Sequence, residues 1–281
     1  MIKLGGPVFS ADDDPKMLAK AHKAKGYTAA YVPPVSVGDK PRLKEIREAF
    51  KAEDIILAEV GYWGNITDTD DDERKKNINE LTDALFIAEE VGAVCAIDIF
   101  GSYIHGHGTS AFTKKNFSND AFDDAVDIAR LLIDTVKPKT AFFAYEIFQF
   151  NIVDSPETIE KLIKAVDRKQ FGAHLDLANL INCPRAYYSS GEIMRDCIKR
   201  FGNKIVAAHI KDVKMKEPAL SVSFEEVIPG EGNLDIKTFI SEIHKLPRDI
   251  PFMMEHLSSK EEYDKSAAHI RKCAFEEGII L

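Results

Sequence analysis

Four ionisable side chains occupy equivalent places in the sequence, each at the carboxyl end of a short apolar run. The runs are TAFFAYE, FGAHLD, IVAAH and PFMME, and they end at Glu146, Asp176, His209 and Glu255. A buried carboxylate is costly unless a cation or hydrogen bonds compensate its charge. Three carboxylates and one imidazole form an oxygen-rich ligand set, so we predict that these four residues bind a divalent metal ion.

The ligand types also indicate which metal is expected. Carboxylates and an imidazole suit Mn²⁺, Mg²⁺ or Co²⁺ better than a metal that prefers thiolates, and Zn²⁺ is compatible as well. We expect one divalent ion, Mn²⁺ in the first place. The alternative for each residue is a structural role, because a single buried Glu or His is more often held by a salt bridge or a backbone hydrogen bond. The agreement of four residues in position favours the metal site.

The segments that must position these residues alternate between strand-like and helix-like patterns. Strands that are apolar almost throughout are typical of a sheet buried on both faces, and strict alternation with helices favours parallel pairing. We therefore predict an α/β fold, a (β/α)8 TIM barrel that forms a single domain over residues 1–281. The eight apolar runs are MIKL, YTAAYVP, IILAEVG, AVCAIDIFG, TAFFAYEIF, FGAHLDL, IVAAHIKDV and PFMMEHL. Helices are expected near 14–25 and over 41–52, 73–91, 119–136, 156–167, 191–201, 235–246 and 260–277.

An open doubly wound sheet is the competing architecture. Its dinucleotide-binding version needs a Gly-x-Gly-x-x-Gly motif after the first strand, and this sequence has none there. The longest stretches predicted to be irregular are 61–72, 101–118 and 213–233, and all three follow strands. Loops in that position build the mouth of a barrel, where active sites lie.

Composition limits the partners and the location of the protein. The 46 acidic and 37 basic residues give a formal charge of −9, which disfavours nucleic acid as a partner. The four cysteines are widely spaced, without a Cys-x-x-Cys pair, as expected of a protein in a reducing cytoplasm. No run approaches the roughly eighteen apolar residues of a membrane span, so we expect no membrane insertion and a cytoplasmic location.

Five segments, in this order, resemble the xylose isomerase-like sugar isomerases and epimerases, whose barrel is shared with endonuclease IV. The segments are YEIF, LDLANLINCP, HIKD, PGEGNLD and MMEH, and the resemblance extends over essentially the whole chain. It implies that the four residues named above are the metal ligands. It also implies that Glu146 and Glu255 lie on opposite faces of a sugar and exchange protons with it.

The resemblance implies chemistry next to a carbonyl group. Removal of a proton there creates an enediolate that a metal can stabilise, while one carboxylate takes the proton and the other returns it. We expect an isomerase or epimerase of a keto sugar or related polyol, with Glu146 and Glu255 as the acid–base pair. A dehydratase or lyase that eliminates from an inosose or a 3-keto-glycoside is the first alternative. An AP-endonuclease-like hydrolase and a non-catalytic sugar-binding barrel are the others.

Five further residues are predicted to contact or support the substrate. Lys211 lies two positions after His209 and faces the same side, where it binds either substrate or a loop carboxylate. His174 is either a core histidine or a hydrogen-bond partner of the ligands. Trp63 offers an apolar wall to a sugar ring, or packs in the core. Glu231 lies in the loop PGEGNLD, and Asn179 stands where some ketose epimerases of the family carry a histidine.

Three further features complete the predictions from the sequence. His105 and His107 follow the fourth strand in GSYIHGHGTS and either join the site or belong to a flexible lid. Asp212, after Lys211, is expected to orient its loop. Homodimers or tetramers are common in the resembling family, so a homo-oligomer is also expected.

Overall fold

A computed structural model describes residues 1–10 and 12–281. Two sheets are formed in this part of the chain, a nine-stranded parallel sheet and a two-stranded antiparallel hairpin. The strands are β1 (Ile2–Gly5), β2 (Ala29–Ala30), β3 (Ile56–Leu57), β4 (Glu59–Gly61), β5 (Cys95–Asp98), β6 (Phe142–Glu146), β7 (Phe171–Asp176), β8 (Ile205–Ile210), β9 (Asp212–Met215), β10 (Phe224–Val227) and β11 (Ile250–Met254).

The large sheet closes into a barrel at Ala58. Its strand order is β3-β2-β1-β11-β8-β7-β6-β5-β4, so β3 and β4 lie at opposite ends of the order although one residue separates them in the chain. Ala58 N donates to Ala30 O on one side, and Cys95 N donates to Ala58 O on the other. Since β3 and β4 are two halves of one predicted strand, the sheet contains eight barrel strands. The predicted (β/α)8 barrel is confirmed.

Helices follow the barrel strands and surround them. They are α1 (Pro15–Ala24), α2 (Lys40–Ala52), α3 (Asp71–Val91), α4 (Asn119–Val136), α5 (Pro156–Val166), α6 (Pro184–Tyr188), α7 (Ser190–Phe201), α8 (Ile236–His244) and α9 (Lys260–Glu276). Most begin after an Asp or Ser whose side chain accepts from a first-turn backbone N–H, as Asp70 does from Asp72 and Glu73. The short α6 was not predicted. None of the helices in the described ranges has the length and apolar character needed to cross a membrane.

Alternation along each strand separates the helix layer from the barrel interior. On β6, Phe143 and Tyr145 face the helices, and the Tyr145 hydroxyl donates to Ala125 O of α4 at 3.0 Å. Ala144 belongs to a separate group of buried residues inside the barrel and is followed on the same face by Glu146. The interior is therefore apolar at depth and ionisable at the carboxyl ends of the strands.

The segment 213–233 differs from the prediction of an irregular loop. β9 and β10 pair in antiparallel register, with Val227 opposite Asp212 and Phe224 opposite Met215. This pairing joins residues that are far apart in the segment. The sequence of β10, FEEV, also lacks the strong apolar alternation that would predict a strand. The hairpin brings Glu226 to the barrel mouth.

Candidate active site

The four predicted metal ligands converge at the carboxyl ends of β6, β7, β8 and β11. Each offers one ligand atom, and these four atoms all lie within 4.8 Å of one another. His209 Nδ1 is 3.2 Å from Glu146 Oε1 and 3.0 Å from Glu255 Oε1. Glu146, Asp176 and His209 are buried, and Glu255 is slightly exposed at the mouth.

Glu59, at the start of β4, holds two imidazoles below this group. Its Oε1 lies 2.8 Å from His209 Nε2, and its Oε2 lies 3.0 Å from His174 Nε2. An ionised carboxylate can only accept, so both Nε2 atoms donate. Burial alone would raise the pKa of Glu59, but His209 and His174 outweigh it and hold that pKa at about 2. With Nε2 engaged in this way, His209 presents Nδ1 to the three other ligands, as is usual for a metal-binding histidine.

Asp176 is held so that one oxygen faces the centre of the group. Its Oδ1 accepts from the backbone N–H groups of Ala178 at 2.9 Å and Asn179 at 3.2 Å. Its Oδ2, like Glu255 Oε1, is buried and faces the Lys211 ammonium, at 2.8 Å and 2.9 Å respectively. Three carboxylates share one imidazole and one ammonium in this group, so the donor set is oxygen-rich and acidic and fits a divalent ion.

Lys211 extends into the same group of carboxylates. Its Nζ lies 2.8 Å from Asp176 Oδ2, 2.9 Å from Glu255 Oε1 and 3.3 Å from Glu226 Oε1. Burial would lower the pKa of Lys211, but Asp176 and Glu255 raise it above its usual range. A charged ammonium therefore shares two of the predicted metal ligands and partly neutralises their charge.

Asn179 connects Glu146 to Lys211. Its Nδ2 donates to Glu146 Oε1 at 3.1 Å and to Ile147 O at 3.0 Å, and its Oδ1 accepts from Lys211 Nζ at 3.4 Å. Asn179 therefore contacts Oε1 of Glu146 and not Oε2. Asn179 also lines a cavity at the barrel mouth, and its contact with substrate stays a prediction.

A cavity of about 250 Å³ lies over this group at the barrel mouth, and we call it the inner chamber. Its apolar walls are Trp63, Ile99 and Phe148. Its polar lining consists of Glu146, Asn179, Lys211, Glu226, Glu255 and His256. Trp63 is about half exposed and borders the chamber, in the position predicted for a wall beside a sugar ring.

Other predicted residues lie outside the inner chamber. His174 is fully buried against Glu59, and Glu231 pairs with Lys265 at the surface. His105 Nδ1 is 2.8 Å from Asp68 Oδ1, and neither His105 nor His107 belongs to the groups of candidate ligands found among the described residues.

Glu226 and His256 border the inner chamber and were not predicted. Glu226 Oε2 lies 2.8 Å from His256 Nδ1. Glu226 depends on the hairpin, and His256 has a φ of +57°, so strand alternation gives no direction for its side chain. The adjacency of His256 to Glu255 was the one signal in the sequence.

Asp212 fixes the loop PGEGNLD. Its Oδ2 accepts from the N–H groups of Gly230 at 2.9 Å and Gly232 at 3.0 Å, and its Oδ1 accepts from Leu234 N at 3.0 Å. A Cβ atom at Gly232 would collide with the Asp212 carboxylate, so the close approach requires glycine there. Asp212 orients the loop, as expected.

Asp212→Ala is expected to lower the free energy of unfolding by about 2–4 kcal/mol, because each buried donor left unpaired costs roughly 1–3 kcal/mol. Urea denaturation measures the change. Lys214→Ala, on the same hairpin but exposed, is the control and is expected to change little. Equal stability of the two variants would contradict this role of Asp212.

Glu59→Gln is expected to weaken Mn²⁺ binding by about 10–100-fold, the usual effect of losing a partner of a metal-binding histidine. The amide NH₂ would face one of the two Nε2–H donors, so the ring of His209 would lose its fixed orientation. Calorimetric titration measures the affinity. Glu48→Gln, at an exposed position of α2, is the control. Unchanged affinity in Glu59→Gln would show that Glu59 does not support the ligand.

The fold and the site together define a (β/α)8 barrel with a carboxylate–histidine group at the carboxyl ends of its strands. A family model described as xylose isomerase-like TIM barrel matches residues 18–273. The chain belongs to this family. No curated protein matches it by sequence.

Solved structures with the same fold include enzymes of different activity. D-psicose 3-epimerase from Clostridium cellulolyticum H10, solved with D-tagatose, is 14% identical with a TM-score of 0.70, and 99% of each chain is covered. Endonuclease IV from Thermus thermophilus is 13% identical with a TM-score of 0.70, covering 98% of this chain and 99% of that one. A xylose isomerase-like TIM barrel protein from Mycobacterium smegmatis, solved in complex with magnesium, is 18% identical with a TM-score of 0.66, covering 92% and 86%. At these identities the likeness shows the fold and leaves the reaction open.

Proposed function

We propose that the protein is a divalent-metal-dependent isomerase or epimerase of a keto sugar or related polyol. The observation that carries the proposal is the placement of two carboxylates, Glu146 and Glu255, on either side of His209 Nδ1 at the floor of the inner chamber. Their strands, β6 and β11, are separated in the sheet by β7 and β8. The two carboxylates therefore approach the chamber from different directions, as transfer of a proton on two faces of a substrate requires.

Each carboxylate has partners that set its position. Asn179 and His209 hold Glu146, whereas Lys211 and His209 hold Glu255. Burial would raise the pKa of Glu255, but His209 and Lys211 lower it below its usual range. An ionised Glu255 can accept a proton from carbon, and Glu146, when it holds a proton as a carboxylic acid, is placed to return one to the substrate.

Glu146, Asp176, His209 and Glu255 would hold the ion, and Mn²⁺ remains our first expectation. When bound, the ion supplies positive charge that favours an enediolate next to the chamber. The chain's own groups add to that effect, because the Lys211 ammonium faces the same chamber. The walls Trp63 and Phe148 offer apolar contact to the C–H face of a sugar.

The charges at the mouth support a small sugar as the ligand over nucleic acid. Three carboxylates line the inner chamber, and its two basic side chains, Lys211 and His256, already face acidic partners. A polyanionic backbone needs unpaired cations, which this chamber does not present among the described residues. We propose a cytoplasmic enzyme that acts on a small sugar, as a homo-oligomer.

Proton exchange in D₂O tests the proposal. The Mn²⁺-loaded protein is incubated with a panel of keto sugars, and ¹H NMR follows the loss of signal at carbons next to the carbonyl. Exchange with formation of an epimer or isomer is expected. Exchange accompanied by loss of water or of an aglycone would assign the protein to the lyases, and no exchange with any sugar would refute the proposed function.

A further inference from the structure

A second cavity lies beside the inner chamber at the barrel mouth, and we call it the outer chamber. Its volume is also about 250 Å³. Four residues line both cavities: Lys211, Glu226, Glu255 and His256. The two chambers therefore share one wall, formed around the contact between Glu226 and His256.

The volume of each chamber favours a ligand that occupies both chambers. Pockets for small molecules are usually about 300–1,000 Å³, and either chamber alone lies below that range. The two together lie within it. The shared wall is formed by side chains rather than backbone elements, and the contact Glu226–His256 is near the surface, with His256 57% exposed. A ligand can displace this contact without unfolding any strand.

The outer chamber is lined by groups that suit hydroxyls. Beyond the shared wall it contains Glu231, Ser258 and Glu262, with apolar contacts from Val227, Ile228 and Leu257. Carboxylates and a hydroxyl beside short apolar patches match the alternating O–H and C–H surface of a sugar ring. The abundance of acidic groups disfavours a phosphate or carboxylate on the ligand.

We propose that the outer chamber is a second subsite, which takes a second sugar ring joined to the keto sugar in the inner chamber. The substrate class is then a neutral two-ring keto-glycoside, whose linkage crosses the wall at Glu226 and His256. This inference rests on the proposed function for the identity of the reacting ring. It assigns Glu231, otherwise remote from the ligand group, to the binding of the second ring.

Binding of matched polyols tests the subsite without relying on turnover. D-glucitol has one sugar unit, and maltitol is the same polyol bearing a glucosyl ring. Calorimetric titration of the metal-loaded protein is expected to give maltitol an affinity about tenfold higher, because the added ring makes contacts in the outer chamber. Equal affinity for the two polyols, or no binding of either, would overturn the second subsite.

A variant with a tryptophan in the outer chamber gives a second test of the subsite. Ser258→Trp places an indole in that chamber, and the maltitol-to-glucitol affinity ratio is expected to fall about tenfold, to near one. Lys260→Trp adds the same side chain at an exposed position that lines neither chamber, and its ratio should equal that of the unmodified protein. A ratio that falls equally in both variants, or in neither, would overturn the proposal.

The deuterium-exchange experiment separates failure of this inference from failure of the proposed function. 3-Keto-D-glucose and 3-keto-maltose are compared as one-ring and two-ring substrates. Faster exchange of 3-keto-maltose supports the subsite, and equal exchange of both overturns it while the proposed function stands. Absence of exchange from these and all other keto sugars refutes the function, whereas the polyol affinities still decide whether a second ring binds.

Discussion

Glu146→Gln is expected to lower the rate of proton exchange into a keto sugar by about 10²–10⁴-fold, the range usual for loss of a general acid or base. Glutamine has nearly the same shape and retains an oxygen that can face His209 Nδ1 and accept from Asn179. The substitution therefore removes the proton-accepting function with little change in packing. The rate is measured by NMR in D₂O with the metal-loaded variant.

The control for Glu146→Gln is a measurement of its Mn²⁺ binding. Calorimetric titration should show that the variant still binds Mn²⁺, more weakly because the charge of one ligand is lost, and the exchange rate is measured at Mn²⁺ concentrations that saturate the variant. Loss of exchange with retained metal binding identifies Glu146 as part of the acid–base pair. A variant that binds Mn²⁺ and exchanges protons at the original rate would remove Glu146 from the mechanism, and a non-catalytic barrel would have no exchange to lose.

Asp176→Asn is expected to weaken Mn²⁺ binding by at least about 100-fold, beyond the roughly 10–100-fold typical for residues that only orient a ligand. Asp176 is fully buried, and its Oδ2 faces the ligand group and lies 2.8 Å from Lys211 Nζ. The amide would remove the charge of that ligand and leave Lys211 Nζ facing a neutral group. Titration calorimetry with Mn²⁺ measures the loss.

A matched control for Asp176→Asn is Asp83→Asn, an exposed position of α3 with no assigned role. Its Mn²⁺ affinity should equal that of the unmodified protein. Urea denaturation without metal checks that the Asp176 variant is folded. Full Mn²⁺ affinity in folded Asp176→Asn would show that Asp176 is a structural partner of Lys211 and not a metal ligand.

The barrel and the convergence of the four candidate ligands were predictable because both depend on local patterns. Apolar runs that alternate with helical segments indicate a parallel barrel, and an ionisable residue at the end of such a run must face the mouth or the helices. Glu146, Asp176, His209 and Glu255 all satisfy this rule. The third strand was also predicted, although its interruption at Ala58 depends on hydrogen bonds to strands on both sides.

The remaining parts of the site depend on contacts that sequence spacing does not encode. Glu226 reaches the mouth through an antiparallel pairing that closes a long turn, and β10 lacks the apolar alternation that marks the barrel strands. His256 points to the mouth through a positive φ. Glu59 lies within the third apolar run, IILAEVG, but its two imidazole partners come from β7 and β8 and become apparent only when the barrel closes.

Anomalous diffraction at the manganese absorption edge, from a crystal soaked in Mn²⁺, would locate the ion and so decide whether the four ligands bind it. We expect one strong peak among Glu146, Asp176, His209 Nδ1 and Glu255, at about 2.0–2.6 Å from their ligand atoms, with Lys211 Nζ moved away from Asp176 and Glu255. A soaked crystal with no peak at this position, and with Lys211 still in contact with both carboxylates, would contradict the metal site.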